Sequence, residues 1–261
     1  MQRATRSHEK RSVRRVVQVI VVLLCALTLK QFYSTANVNG LRWILAPTTL
    51  LVELVSGSRF QFEPYAGYIN TDRTFIIAAS CAGVNFLLTA FLMLSLITLW
   101  QKRSQNVRWR FIPMAGGVCY VTTIVANTAR IAIALWMRGL SFKLGWLDPD
   151  QLHRVEGITI YFSFLFLLFV LNQKVFSVTP TARAAPNGSM AAVRGHWSNA
   201  QVYSALFPLL VYYAVTIGIP LITALYRPGT LPAEFVQHLF LALLVPLVLL
   251  LPLAVFGPRR S

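Results

Sequence analysis

Cys81, Arg130 and His153 are the residues of this chain whose types together fit covalent chemistry on a carbonyl. A thiolate is a strong nucleophile, and a neighbouring positive charge favours it over the thiol. A cysteine–histidine pair can attack a carbonyl carbon and protonate the leaving amine, with a thioester between the two steps. A guanidinium is a ready donor set for the oxyanion that forms. Cys81 stands in Ala79-Ser80-Cys81-Ala82-Gly83-Val84-Asn85-Phe86, near the front of an apolar run over 75–100. Arg130 closes Asn127-Thr128-Ala129-Arg130 near the end of a second run, and His153 opens a third in His153-Arg154-Val155-Glu156-Gly157. On helices, Asn85 shares a face with Cys81 (i, i+4) and Asn127 with Arg130 (i, i+3). Glu156 and Gly157 lie on the face of His153.

Each of these residues also has an ordinary explanation. A cysteine packs as a small hydrophobe, an arginine snorkels to the interface, and a histidine near a helix start caps it. The asparagines serve equally as interhelical hydrogen-bond glue or as orienting groups. Glu156 either orients the imidazole or pairs with Arg130, and Gly157 lets helices approach closely. What separates Cys81, Arg130 and His153 from these readings is depth. At ~1.5 Å per residue they fall ~9, ~10 and ~6 Å below the same end of three consecutive helices. Cys25 and Cys119 lie mid-span without polar companions and read as core packing. No structural disulfide is expected, nor any metal or cofactor.

The elements that must position these residues are membrane spans. Of 261 residues, 56% are hydrophobic and 12% charged, about half the charge of a globular domain. Windows of about 20 residues almost free of charge suffice to cross a bilayer core. They run over 16–35, 75–100, 111–137, 151–173, 202–225 and 235–256, giving an all-α, polytopic helical bundle of about six spans in a single domain, 1–261. Its core region is 75–173, flanked by a segment over 36–74 and a helix pair over 202–256. The net charge of +16 does not indicate nucleic acid. Basic residues gather in RSVRR, in the 101–110 loop, in the 174–196 loop and at Arg259-Arg260, alternating with the spans as cytoplasmic segments do. Seven of the eight acids, Glu53, Glu63, Asp72, Asp148, Asp150, Glu156 and Glu234, fall on the other side. Both termini are therefore expected in the cytoplasm, with Cys81 at the outer face.

Residues 36–74 then begin and end outside. Leu41 to Val55 is apolar but short, and Arg42, Thr49, Glu53 and Ser56 form a polar stripe, so a helix lying in the interface is expected. Gly57 to Arg73 reads as an extended or hairpin cap. Asp148-Pro149 supplies an N-cap and first-turn proline for the third long helix. The 177–200 stretch reads as a flexible inner loop, and the N-terminal run, though signal-like, as an uncleaved first helix.

The combination of a membrane cysteine (Ser80-Cys81-Ala82-Gly83), Asn127-Thr128-Ala129-Arg130-Ile131 and His153-Arg154-Val155-Glu156-Gly157 resembles the exosortase/archaeosortase family. The resemblance covers roughly 75–173. Leu41 to Pro47 and Gly67 to Asn70 look like the exosortase K variant. It implies a membrane cysteine protease or transpeptidase with Cys81 as nucleophile, His153 as acid/base and Arg130 as transition-state stabiliser. Its partners would be exported proteins bearing a C-terminal sorting tail, met in the bilayer of a bacterial inner membrane. Ala82 departs from the small polar residue many members carry, and the last two helices lie outside the resemblance. Two other functions fit the residues: a small transporter or channel with an Arg130/His153 ion site, and a lipid acyltransferase using Cys81.

Overall fold

The computed structural model describes residues 2–102, 107–139, 149–177, 206–226 and 235–255. Helix α1 (Gln2–Thr35) is followed by α2 (Arg42–Ser56) and three short strands: β1 (Phe60–Glu63), β2 (Gly67–Asn70) and β3 (Ile76–Ile77). A 3-10 turn over Ala79–Ala82 leads into α3 (Val84–Gln101), α4 (Phe111–Gly139) and α5 (Pro149–Ser177). Then come α6 (Phe207–Tyr213), a π-helical stretch over Ala214–Gly218, α7 (Ile219–Tyr226) and α8 (Phe235–Val255). Asp148, the 178–200 loop, Glu234 and the Arg259-Arg260 tail lie outside the described residues.

Among the described residues, five stretches are long and apolar enough to cross a membrane: Ser12–Thr35, Ala79–Gln101, Phe111–Arg138, Gln151–Lys174 and Phe207–Ala224. Over 235–256, the apolar stretch among the described residues is the shorter Leu239–Leu250. Helix α3 is apolar on every side, and such a helix must be enclosed. It packs against α1, α4, α5 and α6, burying Leu88, Met93, Ile97 and Leu99. The surrounding helices turn their own apolar residues outward, such as Leu24 and Leu27 on α1 and Val121 on α4, as a bilayer-facing surface requires. Cys119 is buried as expected, whereas Cys25 is exposed. The core reading of Cys25 is therefore wrong: its side of α1 points away from the bundle.

Helix α2 is not among the stretches long enough to span, as expected, and it packs against α4. Trp43, at its start, stacks on Tyr120 midway along α4 with ring centroids 5.7 Å apart. Pro47 explains how an embedded helix start is tolerated. Proline has no N–H for the carbonyl four residues back, and an orphaned carbonyl in an apolar setting needs another donor. The Tyr120 hydroxyl donates to that Trp43 carbonyl at 2.6 Å. Two residues of the polar stripe reach the cap. Glu53 Oε1 accepts the Phe60 N–H at 2.7 Å, and the Arg42 guanidinium lies 4.5 Å from the centre of the Phe62 ring.

The 57–73 stretch forms the expected hairpin. Strands β1 and β2 pair antiparallel with Phe60 opposite Asn70, and β3 adds antiparallel to β2 with Tyr68 opposite Ile77. Gly67 has φ +124, and a Cβ there would lie 2.3 Å from the Ile77 carbonyl oxygen, so only glycine fits. The Asn70 carboxamide oxygen accepts the N–H groups of Thr74 (2.9 Å) and Phe75 (2.8 Å), closing the β2–β3 turn. Arg138, at the end of α4, donates to the Thr74 carbonyl and lies over the Phe75 ring. The sheet is thus tied to α2 and α4, and one residue separates β3 from the turn that carries Cys81.

Candidate active site

The apolar run over 75–100 does not form one helix, and the break falls at the cysteine. Ile76–Ile77 is strand, Ala79–Ala82 is a 3-10 turn, and α3 begins at Val84. Gly83 makes the junction, with φ +69, a left-handed conformation that costs an L-residue with a side chain roughly 1–2 kcal/mol. A Cβ on Gly83 would also come within 3.3 Å of Asn127, Thr123 and Tyr161. Cys81 consequently sits in the turn that precedes α3. It does not lie one and a half turns down a helix. Helix α3 begins only at Val84, so Cys81 lies at the end of the apolar stretch Ala79–Gln101 opposite the exposed Trp100.

The same break removes Asn85 from the face of Cys81. Its side-chain oxygen accepts instead from Lys30 Nζ of α1 at 3.0 Å, and Asn85 is exposed. Asn127 is fully buried. Its amide nitrogen donates to the Cys81 backbone carbonyl, and its oxygen accepts from the Tyr161 hydroxyl at 2.9 Å. It holds the turn that carries the nucleophile rather than the arginine one turn further on.

Arg130 of α4 binds two side chains of α5. Nη1 donates to the Tyr161 hydroxyl at 3.3 Å, and Nη2 bonds His153 Nε2 at 3.0 Å. A guanidinium only donates, so His153 Nε2 accepts and the ring proton lies on Nδ1. Nδ1 in turn faces Glu156 Oε2 at 3.2 Å. Glu156 therefore orients the imidazole, and its other oxygen, Oε1, is buried without a partner among the described residues. Arg130 Nε is buried and unpartnered in the same way. Gly157 makes room for this side chain, since a Cβ there would lie 3.1 Å from Nε.

Cys81, Arg130 and Tyr161 interact electrostatically with one another, and Tyr33 of α1 joins both Cys81 and Arg130. The cluster draws on α1, the 3-10 turn, α4 and α5. Cys81 and His153 are not hydrogen-bonded. Among the described residues the Cys81 sulfur has no hydrogen-bond partner, and His153 is linked to the Cys81 backbone through Arg130, Tyr161 and Asn127. The imidazole is open to the exterior, with 47% of its side chain exposed, while Glu156 behind it is 7% exposed. No group of three or more His, Cys, Asp or Glu side chains suited to a metal occurs among the described residues.

Tyr161 and Tyr33 escaped the sequence reading. Tyr161 had a usable signal: His153, Gly157 and Tyr161 recur every four residues, one continuous helical face. Tyr33 had none, because nothing in its own helix indicates which neighbour it meets.

The fold and the cluster define a helical, membrane-spanning protein with a thiol–guanidinium–imidazole–carboxylate group at one end of its bundle. Comparison of the chain with protein-family models, with curated proteins and with solved structures finds no match.

Proposed function

We propose that the chain is a membrane-embedded cysteine peptidase or transpeptidase that works through an acyl thioester on Cys81. The observation that carries this reading is the position of Arg130, which is hydrogen-bonded to His153 and linked through Tyr161 and Asn127 to the backbone carbonyl of Cys81. A packed cysteine, a snorkelling arginine and a capping histidine would have no reason to meet. The charge pattern supports a site at the outer face of a bacterial inner membrane with both termini in the cytoplasm. The resemblance to exosortases supports exported proteins with a C-terminal sorting tail as substrates.

In this mechanism Cys81 Sγ attacks the carbonyl carbon of the scissile peptide bond. The guanidinium turns from His153 toward the developing oxyanion and offers its N–H groups, the uncommitted Nε–H among them. That movement frees the Nε2 lone pair of His153, which takes the thiol proton while Glu156 holds Nδ1–H. Collapse of the tetrahedral intermediate breaks the C–N bond, and the imidazolium protonates the departing amine. The S-acyl bond is then resolved by an amine or by water, which returns the proton to sulfur.

The test is capture of the adduct. Wild-type protein incubated in membranes with a tailed substrate should show a thioester on Cys81, cleaved by hydroxylamine and absent from Cys81→Ala. A peptidyl mass supports the reading, and a fatty-acyl mass supports a lipid acyltransferase instead. Full substrate processing by Cys81→Ala rejects nucleophilic catalysis, and retained function in Cys81→Ser favours a transporter.

A further inference from the structure

The hydrogen bonds around Tyr161 all run in one direction. Arg130 Nη1–H donates to the Tyr161 oxygen (3.3 Å), the Tyr161 O–H donates to Asn127 Oδ1 (2.9 Å), and the Asn127 amide donates to the Cys81 carbonyl. A chain of donors aligned head to tail and starting at a charge polarises each bond in the same sense. It begins at the proposed oxyanion donor and ends on the backbone of the proposed nucleophile. The ring of Tyr161 stacks on Phe86 of α3, centroids 4.9 Å apart and planes 16° from parallel, so the hydroxyl is delivered from a fixed plane. Asn127 is completely enclosed. The two glycines mark the chain's ends. Gly83 admits the Tyr161 hydroxyl and Asn127 beside the turn, and Gly157 admits Arg130 beside α5.

We infer that Tyr161 is a positioning residue that, through Asn127, fixes the Cys81 turn and the Arg130 guanidinium in one register, so that one phenol hydroxyl sets the distance between thiol and positive charge. Its consequence for catalysis rests on the proposed cysteine chemistry; the positional claim does not. When the guanidinium turns toward an oxyanion, Nη1 stays anchored on the phenol and only Nη2 leaves His153. The motion becomes a pivot about one bond rather than a free swing.

The experiment needs no substrate. Full-length protein in detergent is alkylated at Cys81 with iodoacetate, an anion, and separately with iodoacetamide, which is neutral. The ratio of the two rates cancels changes in thiol exposure and reports positive charge beside the sulfur. Tyr161→Phe keeps the stacked ring and removes the hydroxyl. Its ratio should fall about three- to fivefold, toward that of Arg130→Gln, as expected when a unit charge moves away from near contact in a partly solvated site. Phe86→Leu, which frees the plane of the ring and leaves the hydroxyl, should lower the unfolding temperature and lower the ratio less than Tyr161→Phe does. If Tyr161→Phe does not fold, Asn127→Ser breaks the next link and should lower the ratio similarly. If it folds, the Tyr161→Phe/Asn127→Ser double variant should fall no further than either single one. An unchanged ratio in the folded Tyr161→Phe protein, or in Asn127→Ser where that is the variant read, overturns the inference, as do additive falls in the double variant. Processing by Cys81→Ala alongside a lowered ratio in Tyr161→Phe would reject the catalytic reading and keep the positional one.

Discussion

At the scale of single residues, Arg130 is committed to two partners at once, and this separates it from a lysine. Its fork reaches the Tyr161 hydroxyl and His153 Nε2 together; an ammonium is a single point and cannot reproduce that span. Arg130→Lys should lower kcat for tail cleavage by about a hundredfold with little change in KM, on the scale of losing one oxyanion donor. A steady-state comparison checks this, and an unchanged kcat would remove Arg130 from the transition state. Gly157→Ala approaches the same group from behind, placing a methyl 3.1 Å from Nε. Since the end of a flexible side chain can yield, the expected outcome is a loss of activity of roughly tenfold from misplacement with an almost unchanged unfolding temperature. Equal losses of activity and stability would instead mean that Gly157 serves helix packing.

At the scale of elements, the decisive feature is the break that ends the 3-10 turn and starts α3. Gly83→Ala forces a methyl into left-handed backbone and against Asn127, Thr123 and Tyr161. Thermal unfolding in detergent should show a destabilisation of about 1–2 kcal/mol or more, with Cys81 alkylation altered in the same variant. No loss of stability would mean that the backbone there relaxes freely. On the neighbouring element, Tyr120→Phe withdraws the donor from the Trp43 carbonyl that Pro47 leaves unpaired. The expected cost is about 1 kcal/mol. The double variant Tyr120→Phe/Pro47→Ala should recover part of it, because an alanine N–H can close the helix bond.

At the scale of the whole molecule, the proposed orientation predicts which thiol is reached from where. In intact spheroplasts a membrane-impermeant maleimide should label Cys81 from outside. Cys119, buried in the bundle, should remain unlabelled until the protein is denatured. Cys25, exposed on α1 but within its apolar stretch, should react with a lipid-soluble maleimide and not with the impermeant one. Labelling of Cys81 only after the inner face is opened would invert the topology and exclude action on exported substrates.

The sequence by itself determined the features that depend on local composition and spacing. Long apolar windows must be helices of span length, since backbone groups in hydrocarbon have no partner except one another. Arg130 and His153 meet because helix rise converts residue number into depth; Cys81 lies at the same end of the bundle although the helix assumed in reckoning its depth is a strand and a turn. Glu156 was legible as an orienting group because i, i+3 fixes its face. What failed were inferences that extend a helix across a glycine or choose a neighbour for a surface. Asn85 left the face of Cys81 because Gly83 interrupts the periodicity on which the assignment rested. Helix α2 packs against α4 where the Tyr120 hydroxyl takes up the carbonyl that Pro47 leaves unpaired, and nothing within α2 encodes that hydroxyl. Tertiary structure alone decided that Arg130 holds His153 and Tyr161 together and that Tyr161, through Asn127, ties the guanidinium to the turn that carries Cys81. Those relations depend on how α4 and α5 are rotated against α3, a quantity set by packing of whole faces and not by the order of residues in any one of them.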